Sequence, residues 1–298
     1  MANNLGNYVD KFTNKLDQVV TQATTTADLN MNTDLVGEFR GGGKIEIANL
    51  ALQGLGDYDR SAGFPTGDAT LTWEDFTLDF DRGREFSVDE VDDEERAAVI
   101  SANIMSEFVR TEVVPEVDAI RFSRLAENAG NTVTEDLTTP EGALKSVLKA
   151  EEALQDYGRE LNTLVFYHSA NVKSLLRQAS PYQFGQGDNP STNFTTYDDM
   201  KMQLVAKNRF YSAIDLLDGT TSGEEAGGYK KSSTGKNINY IVIHPEAAAA
   251  IQKHEKLRYF APDVNQARDA HKWQYRVYHD LLVYLNKKNL IYVSLATA

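Results

Sequence analysis

Apolar and polar residues alternate along a stretch in the first third of the chain. Leu71 and Trp73 are two positions apart, and a second series with nearly the same spacing follows at Phe76, Leu78, Phe80, Phe86 and Val88. A spacing of two is typical of an extended strand, and the change of parity at residues 74–75 indicates a bulge or a twist. We therefore predict that residues 57–91 form a long, two-stranded excursion with a loop at residues 60–67.

A helical spacing follows. Residues 92–95 are all acidic, which suits the positive end of a helix, and Asp92 and Glu95 fit a capping arrangement. The apolar residues after them lie three to four positions apart, at Ala97, Ile100, Ile104 and Phe108. This pattern predicts a helix to about Val114, a bend or break at Pro115, and a second helical segment that continues through Leu125.

The regions before and after these elements predict an arm and a further helix. Residues 1–43 are polar and predict an arm with a short helix, and residues 44–50 predict a strand. A helix begins at Thr139–Glu141, with proline at its first position, and reaches about Tyr157.

Two strand–helix units come next. A buried strand at residues 162–167 precedes a helix at residues 169–178, and a strand at residues 239–243 precedes Pro245 and a helix to about Lys256. Loops are predicted for the polar segments between these units, at residues 180–196 and 218–237.

The C-terminus alternates cleanly between apolar and polar positions. The alternation runs from Trp273 to Leu285 and predicts one strand. A turn is predicted at residues 286–289, and residues 290–295 are predicted to form a second strand that pairs with the first. This pattern predicts a terminal β-hairpin.

The negative charge of the chain is concentrated in the predicted excursion. The chain has 30 Lys+Arg against 44 Asp+Glu, a net charge of −14, and residues 57–95 alone hold 14 acidic and 3 basic residues, a net −11. An isolated hairpin is marginally stable in water, and exposed strand edges pair with other chains. The pattern therefore favours an arm that lies against another subunit, with an ordinary edge hairpin of one domain as the alternative.

Composition excludes several classes of protein. The chain has no cysteine, so disulfides, thiolate catalysis and Cys-based metal sites are ruled out. It has no apolar run near the roughly 20 residues of a membrane helix, and its first 20 residues lack a signal-peptide pattern. The acidic balance argues against a tight binder of double-stranded DNA.

No sequence motif indicates a catalytic, cofactor-binding or metal-binding site. The segments around Lys44 and Lys236 fail the phosphate-loop spacing, and no His-Glu-x-x-His or Gly-x-Ser-x-Gly occurs. The four histidines between His244 and His279 are read as scattered surface or interface residues. Residues 89–95 could attract a divalent cation weakly, but they lack the EF-hand spacing. We therefore predict no catalytic residue, no cofactor and no metal site.

The order of several stretches resembles the major capsid proteins of tailed bacteriophages, in the short form found in phages and prophages of Gram-positive hosts. The most specific are Arg82-Gly-Arg-Glu-Phe86 and Phe108-Val-Arg-Thr-Glu-Val-Val-Pro115. The resemblance runs from about residue 40 to the end and also uses residues 54–60, 63–67, 237–245, 253–254 and 275–280.

The resemblance implies an α+β chain with the Hong Kong 97-type fold, divided into five parts. These parts are an N-terminal arm at 1–43, a peripheral domain with a long spine helix at 44–56 and 92–135, an extended E-loop at 57–91, an axial α/β domain mainly at 136–270, and the C-terminal β-hairpin at 271–298. Residues 57–84 contain no lysine, so cross-linking through an E-loop lysine is not expected.

The same resemblance implies a coat protein that assembles into the icosahedral head around phage double-stranded DNA. Its partners would be other copies in hexamers and pentamers, together with scaffold and portal proteins, without sequence-specific DNA binding and without a membrane. The chain would reside in the virion after assembly in the bacterial cytoplasm. An encapsulin-like nanocompartment shell and a cytosolic enzyme with an unrecognised site are the alternatives.

The expected contacts between subunits follow from the excursion. The residues proposed for them are Phe64, Pro65, Trp73, Arg82 and Arg84. Like charges in contact are costly, so the acidic arm requires a basic surface of complementary charge. The candidates for that surface are Arg110, Arg121, Arg124, Arg268 and Arg276.

Overall fold

The computed structural model describes residues 22–31, 44–61, 63–89, 105–179, 184–186, 194–265 and 268–297. The strands are β1 Lys44–Leu52, β2 Ala69–Thr77, β3 Phe80–Asp89, β4 Asn131–Thr134, β5 Val165–His168, β6 Phe184–Gln186, β7 Phe194–Tyr197, β8 Met200–Leu204, β9 Ile214–Leu216, β10 Tyr229–Lys231, β11 Ile238–Ile243, β12 Ala248–Phe260, β13 Ala270–Val283 and β14 Ile291–Leu295. The helices are α1 Val114–Asn128, α2 Pro140–Gln155 and α3 Ala170–Ala179. Shorter turns of helix include Ala27–Met31 and Leu285–Leu290.

A seven-stranded mixed sheet forms the larger core, in the order β4-β14-β11-β5-β8-β7-β6. Side chains alternate across it, so that Ile241 and Ile243 face one apolar cluster and Tyr240 and Val242 face another. Helices α2 and α3 cover the second face, while Phe122 and Leu125 of α1 pack on the first. Both faces are buried, which explains why β5 and β11 read as continuous apolar runs.

A three-stranded antiparallel sheet, in the order β12-β13-β3, forms the second layer. Trp273, Tyr275 and Val277 of β13 are buried there against Met105 and Phe108 of the helical segment that leads into α1. This segment continues from Met105 to Asn128, and its predicted start at Asp92 lies outside the described residues.

The long helix is not broken at Pro115. Residues Val109–Val113 widen into a π-helical turn, and the backbone N–H of Val114 donates to the carbonyl of Val109, five residues back. Proline has no N–H to donate and its ring crowds the preceding turn. A wider turn placed just before Pro115 lets the helix continue past it.

The predicted start of α2 is confirmed. Thr139 is extended, its hydroxyl accepts a hydrogen bond from the backbone N–H of Gly142 at 3.2 Å, and Pro140 occupies the first turn. Local signals sufficed here because proline and a capping hydroxyl act on the adjacent residues.

The predicted pairing within residues 57–91 is wrong. β2 pairs with β1 over nine consecutive residue pairs, from Lys44↔Thr77 to Leu52↔Ala69, with no register shift at 74–75. β3 instead pairs with β13. The change of parity has another cause, since the outer part of β2 turns its apolar residues to solvent while Phe76 points to the core at the base of the hairpin.

The predicted helix after Pro245 is also wrong. Only Pro245–Ala247 form a single 3₁₀ turn, and β12 begins at Ala248. Four consecutive alanines at 247–250 favour a helix locally. Their small side chains are buried in two apolar clusters, and pairing with β13 overrides the local preference.

The predicted C-terminal hairpin does not form. β13 lies in the three-stranded sheet, whereas β14 lies in the seven-stranded sheet between β4 and β11. The 3₁₀ helix Leu285–Leu290 separates them, and burial of Leu290 and Ile291 in the larger core draws the last strand away from β13.

Candidate functional site

A two-stranded hairpin, β1–β2, is attached to the fold only at its base. Ile45 and Ile47 of β1 are buried there against Ala249 and Ile251 of β12, together with Leu78 just after β2. Beyond this base most side chains are exposed, so neither face of the hairpin is covered by the part of the chain that the structure describes.

One face of the hairpin is apolar. Leu50 is opposite Leu71 in the antiparallel register, and paired residues point to the same side. Leu52 and Trp73 share that side, and their side chains are 69% and 62% exposed. Monomeric proteins rarely expose a contiguous apolar stripe, which instead marks an interaction surface.

The other face of the outer hairpin is polar. It carries Asn49, Thr70, Thr72 and Glu74, and the Asn49 amide donates to the Glu74 carboxylate at 3.3 Å. The two faces therefore differ in chemistry, and the apolar side is the candidate surface.

The loop at the end of the hairpin adds an exposed aromatic pair. Tyr58 and Phe64 have ring centroids 4.8 Å apart, and Phe64 is 87% exposed. Asp59 and Gly63 form an isolated β-bridge, and Gly63 has a φ of +85°, which disfavours any residue with a side chain. Pro65 is also exposed, so the structure places two of the predicted contact residues together at the tip.

Arg82 and Arg84 bind elsewhere, within their own chain. The Arg82 guanidinium donates to the Glu116 carboxylate at 2.8 and 3.2 Å and to the Gly228 carbonyl at 3.1 Å. Arg84 donates to the Glu225 carbonyl at 3.0 Å. Both arginines thus fix the loop at 217–228 against β3, away from Phe64 and Trp73.

Most of the predicted basic candidates are engaged as well. Arg121 is buried, Arg110 pairs with Glu107, Arg124 pairs with Asp280, and Arg276 pairs with Asp81. The Arg268 side chain remains exposed.

The outer half of β12 carries basic charge that the sequence prediction missed. Its residues 252–259 are exposed, in contrast to the buried 248–251. Lys256 and Arg258 have no ion-pair partner among the described residues, while Leu257 and Tyr259 are 55% and 52% exposed. The missed signal was the run of Lys, His, Lys and Arg at 253–258, which the false helix prediction had hidden.

The surface prediction for the histidines is wrong for two of the four. His244 and His279 are buried, as is His168, because they lie on inward-facing positions at or near strands. His254 is exposed and His271 is half-buried. No three His, Asp or Glu side chains converge as metal ligands within the described ranges. The acidic run at 90–95 lies outside those ranges. No described helix combines the length and hydropathy needed to cross a membrane.

Comparisons with known proteins give different results by sequence and by structure. The chain matches no protein-family model and no curated protein sequence. Solved structures, however, match over almost its full length. A chain from Mycobacterium phage Che8 has a TM-score of 0.64 at 14% identity and covers 97% of this chain and 97% of its own.

Two further matches are capsid structures. The asymmetric unit of the bacteriophage PhiM1 mature capsid has a TM-score of 0.66 at 12% identity, with 97% of this chain and 92% of that chain covered. The capsid structure of the cyanophage P-SCSP1u has a TM-score of 0.64 at 12% identity, with 100% and 97% covered. The chain has the fold of phage capsid structures. The predicted α+β class and the predicted capsid fold are therefore confirmed.

Proposed function

We propose that this chain is a major capsid protein that assembles with copies of itself into the icosahedral head around phage double-stranded DNA. The observation that carries the proposal is the projecting hairpin, whose apolar face is not covered by any of the described residues. A full-length likeness to phage capsid structures supports it.

In this proposal the hairpin β1–β2 is the E-loop and α1 with the helical residues before it is the spine helix. The three-stranded sheet belongs to the peripheral domain and the seven-stranded sheet to the axial domain. The E-loop then spans about 44–77 instead of 57–91, since β1 supplies one of its strands. The other boundaries move with the sheets, since β12 and β13 join the peripheral domain and β4 and β14 join the axial domain, while the N-terminal arm stays at 1–43.

The hairpin lies over an adjacent copy and buries its apolar face there. Phe64, Pro65 and Trp73 make the contact, while Arg82 and Arg84 contribute by holding the loop at 217–228 in place. Burial of apolar surface contributes about 25 cal/mol per Å², so several exposed large side chains supply a substantial share of an interface.

Many such contacts close a shell. Each copy touches several neighbours in hexamers and pentamers, and modest contacts repeated around a closed symmetric assembly give a stable container. Scaffold and portal proteins are the further partners, the virion is the location, and assembly takes place in the bacterial cytoplasm. The DNA is enclosed without sequence-specific contacts.

The role is structural and not enzymatic in this proposal. An encapsulin-like shell is the second candidate, since it would use the same hairpin contact. Shells that retain a cargo enzyme after purification would favour it. A monomer or dimer with catalytic turnover would favour a cytosolic enzyme.

Negative-stain electron microscopy tests the proposal. The chain is expressed alone and with the genes that neighbour it, and shells of uniform diameter are expected. Phe64→Ala and Trp73→Ala are expected to reduce shell yield and heat resistance. Thr70→Ala, on the polar face of the same hairpin, is the matched control and should assemble normally. Shells as abundant and heat-resistant in both alanine variants as in the wild type would contradict the buried-arm contact.

A further inference from the structure

An apolar cavity of about 470 Å³ lies between the three-stranded sheet and the helical segment that leads into α1. Strands β3 and β13, the π-helical turn and the loop at 217–228 form its walls. The apolar side chains of the lining are Phe86, Phe108, Val113, Val117, Tyr275 and Val277. The first four of these are only half-buried. A cavity of this size and lining is typical of a site that holds an apolar group.

The tip of the hairpin β1–β2 carries apolar side chains that the described part of its own chain does not cover. Leu55 and Phe64 are almost fully exposed. Tyr58 lies beside Phe64 and is 57% exposed. Exposed apolar clusters of this kind mark contact surfaces, so the tip requires an apolar pocket on another molecule.

The tip is also held in one shape. The backbone N–H of Asp59 donates to the Gly63 carbonyl at 3.2 Å, and the N–H of Gly63 donates to the Asp59 carbonyl at 2.7 Å. The Asp59 carboxylate accepts from the N–H of Ser61 at 2.6 Å. The Pro65 ring closes onto Gly56, where a Cβ atom would be only 2.7 Å from it. A preorganised tip loses little conformational freedom when it enters a pocket.

The cavity is within reach of a hairpin that crosses β12. Tyr275 of the cavity wall is opposite Leu257 of β12, and paired residues point to the same side of the sheet. Leu257 is 55% exposed, so apolar surface continues from the edge strand to the cavity. Lys256 and Arg258 point to the other side, but their long side chains reach round the sheet edge. Strand β2 has 9 residues. Such a strand spans about 30 Å and neighbouring strands are about 4.8 Å apart, so the tip extends as far as β3.

The charges of the tip and of the cavity rim are complementary. The tip carries Asp59 and Arg60, and the rim carries Arg84 and Glu112. Neither Arg60 nor Glu112 has an ion-pair partner among the described residues. Arg84 donates to a backbone carbonyl, so its charge is not neutralised by that contact. The other acidic groups of the lining are engaged within the chain, Glu107 by Arg110, Glu116 by Arg82 and Asp218 by the backbone of its own turn.

We propose that this cavity receives the hairpin tip of a neighbouring copy. Phe64 and Tyr58 enter among the apolar side chains, while Arg60 faces Glu112 and Asp59 faces Arg84. The inference rests on the proposed function, since it names the surface that holds the projecting hairpin. A projection on one copy that enters a pocket on the next is a heterologous contact, which repeats around a ring of subunits. The inserted aromatic side chains lie where the energy of an interface is concentrated.

A side chain that fills the mouth of the cavity tests the insertion. Ala226 is exposed and lines the cavity, so Ala226→Phe places a ring where the tip would enter. The assembled fraction, measured by light scattering, should fall about tenfold. Ser222→Phe, on the same loop but outside the lining, should assemble normally. Phe64→Ala should reduce assembly little further in the Ala226→Phe background, because the pocket for its ring is already lost.

Disulfide trapping locates the tip directly, because the chain has no cysteine of its own. Chains with Ser61→Cys and chains with Ala226→Cys are mixed, assembled and oxidised, so that a 61–226 disulfide can join only different copies. Peptide mapping of the shells should find this disulfide, and Ser222→Cys in place of Ala226→Cys should give much less. Maleimide should label the thiol of Ala226→Cys about tenfold more slowly in shells than in unassembled chains.

The outcomes separate this inference from the proposed function. Shells from which the 61–226 disulfide is absent, or wild-type assembly of Ala226→Phe, would overturn the insertion and leave the capsid role standing. Slow maleimide labelling before assembly as well as after it would also overturn the insertion, because the cavity would then be covered within its own chain or by a bound molecule. A wild-type chain that forms no shells would overturn both.

Discussion

Asp118 and Arg209 form an ion pair with 3.0 Å between Oδ2 and Nη1, and both side chains are almost completely removed from solvent. The N-terminal segment closes over this pair. The hydroxyls of Thr24, Thr25 and Thr26 donate to the Asp118 carboxylate, as does the backbone N–H of Thr25. A single carboxylate on α1 thus joins the long helix, the turn at 207–209 and the segment at 22–31.

Removal of one charge from this pair is expected to be strongly destabilising. Asp118→Ala leaves the Arg209 guanidinium buried without its carboxylate, which costs about 3–5 kcal/mol. Urea unfolding followed by circular dichroism measures the loss. The double variant Asp118→Leu with Arg209→Met should recover part of it, since no buried charge remains.

The control is an ion pair of the same chemistry at the surface. Glu141 and Lys145 lie 2.7 Å apart on α2, and both are exposed. Exposed pairs of this kind contribute little. Glu141→Gln should leave the urea midpoint unchanged, and an Asp118→Ala midpoint equally unchanged would show that the buried pair does not tie the segments together.

Gly83 allows β3 to lie close to β13. A Cβ atom at this position would be 2.8 Å from the Tyr275 carbonyl oxygen, which belongs to rigid sheet backbone. Gly83→Ala is therefore expected to destabilise the fold by about 1–3 kcal/mol, in the range of overpacked sites. Thermal unfolding provides the measurement. Gly54→Ala is the control, because a Cβ there meets no atom within 4 Å, and an equal loss in both variants would refute the close approach.

Local signals predicted the elements whose determinants lie next to one another in sequence. The capped start of α2 at Thr139 and the buried strand before α3 are of this kind. The class of fold and the capsid fold were also predicted, from the order of several short stretches, although no family model matches the chain and the Che8 chain is only 14% identical to it.

Long-range pairing could not be predicted in the same way. β12 contains the alanine run that favours a helix, and only its pairing with β13 makes it a strand. The partner of β2 is β1, which precedes it by a long loop, and no local rule selects it over the following strand.

The candidate site was predicted in part. Phe64, Pro65 and Trp73 are exposed on the hairpin as required, although their contact with another copy stays a prediction. Leu50 and Leu52 were missed because the pairing of β1 with β2 was not predicted, and the basic residues of β12 were missed because that strand was predicted as a helix. Nothing in the sequence pattern marked Asp118 as a buried partner of Arg209.

The outer half of β12 is expected to receive the acidic hairpin of a neighbouring copy. Lys256→Glu combined with Arg258→Glu would place like charges in contact and should lower the assembled fraction about tenfold at low salt. Light scattering or sedimentation measures assembly. High salt should reduce the difference in assembled fraction between the variant and the wild type, because it screens exposed charges beyond a few ångströms.

Reversal of the charges on the hairpin as well as on β12 tests the same contact more sharply. Asp57→Lys with Asp68→Lys on the hairpin should restore assembly in the β12 variant and impair it in the wild-type background. Lys149→Glu, an exposed change on α2, is the control and should assemble normally. An absence of rescue would indicate that β12 is not the receiving surface.

His279 is expected to make the fold sensitive to acid. Both of its ring nitrogens are buried with no hydrogen-bond partner among the described residues, and burial, together with the nearby Arg121, lowers its pKa to about 4. The unfolded chain accepts this proton near pH 6.5, so stability is full above that pH and falls as pH drops toward 4, by about 3 kcal/mol in total. His279→Leu should remove this part of the decline in urea unfolding at pH 7.5 and 4.5. His168 shifts in the same direction but titrates in both proteins, so the difference between them isolates His279. His271→Gln, a half-exposed change on the same strand, should retain the wild-type decline, and an equally steep decline in His279→Leu would assign the acid sensitivity to other groups.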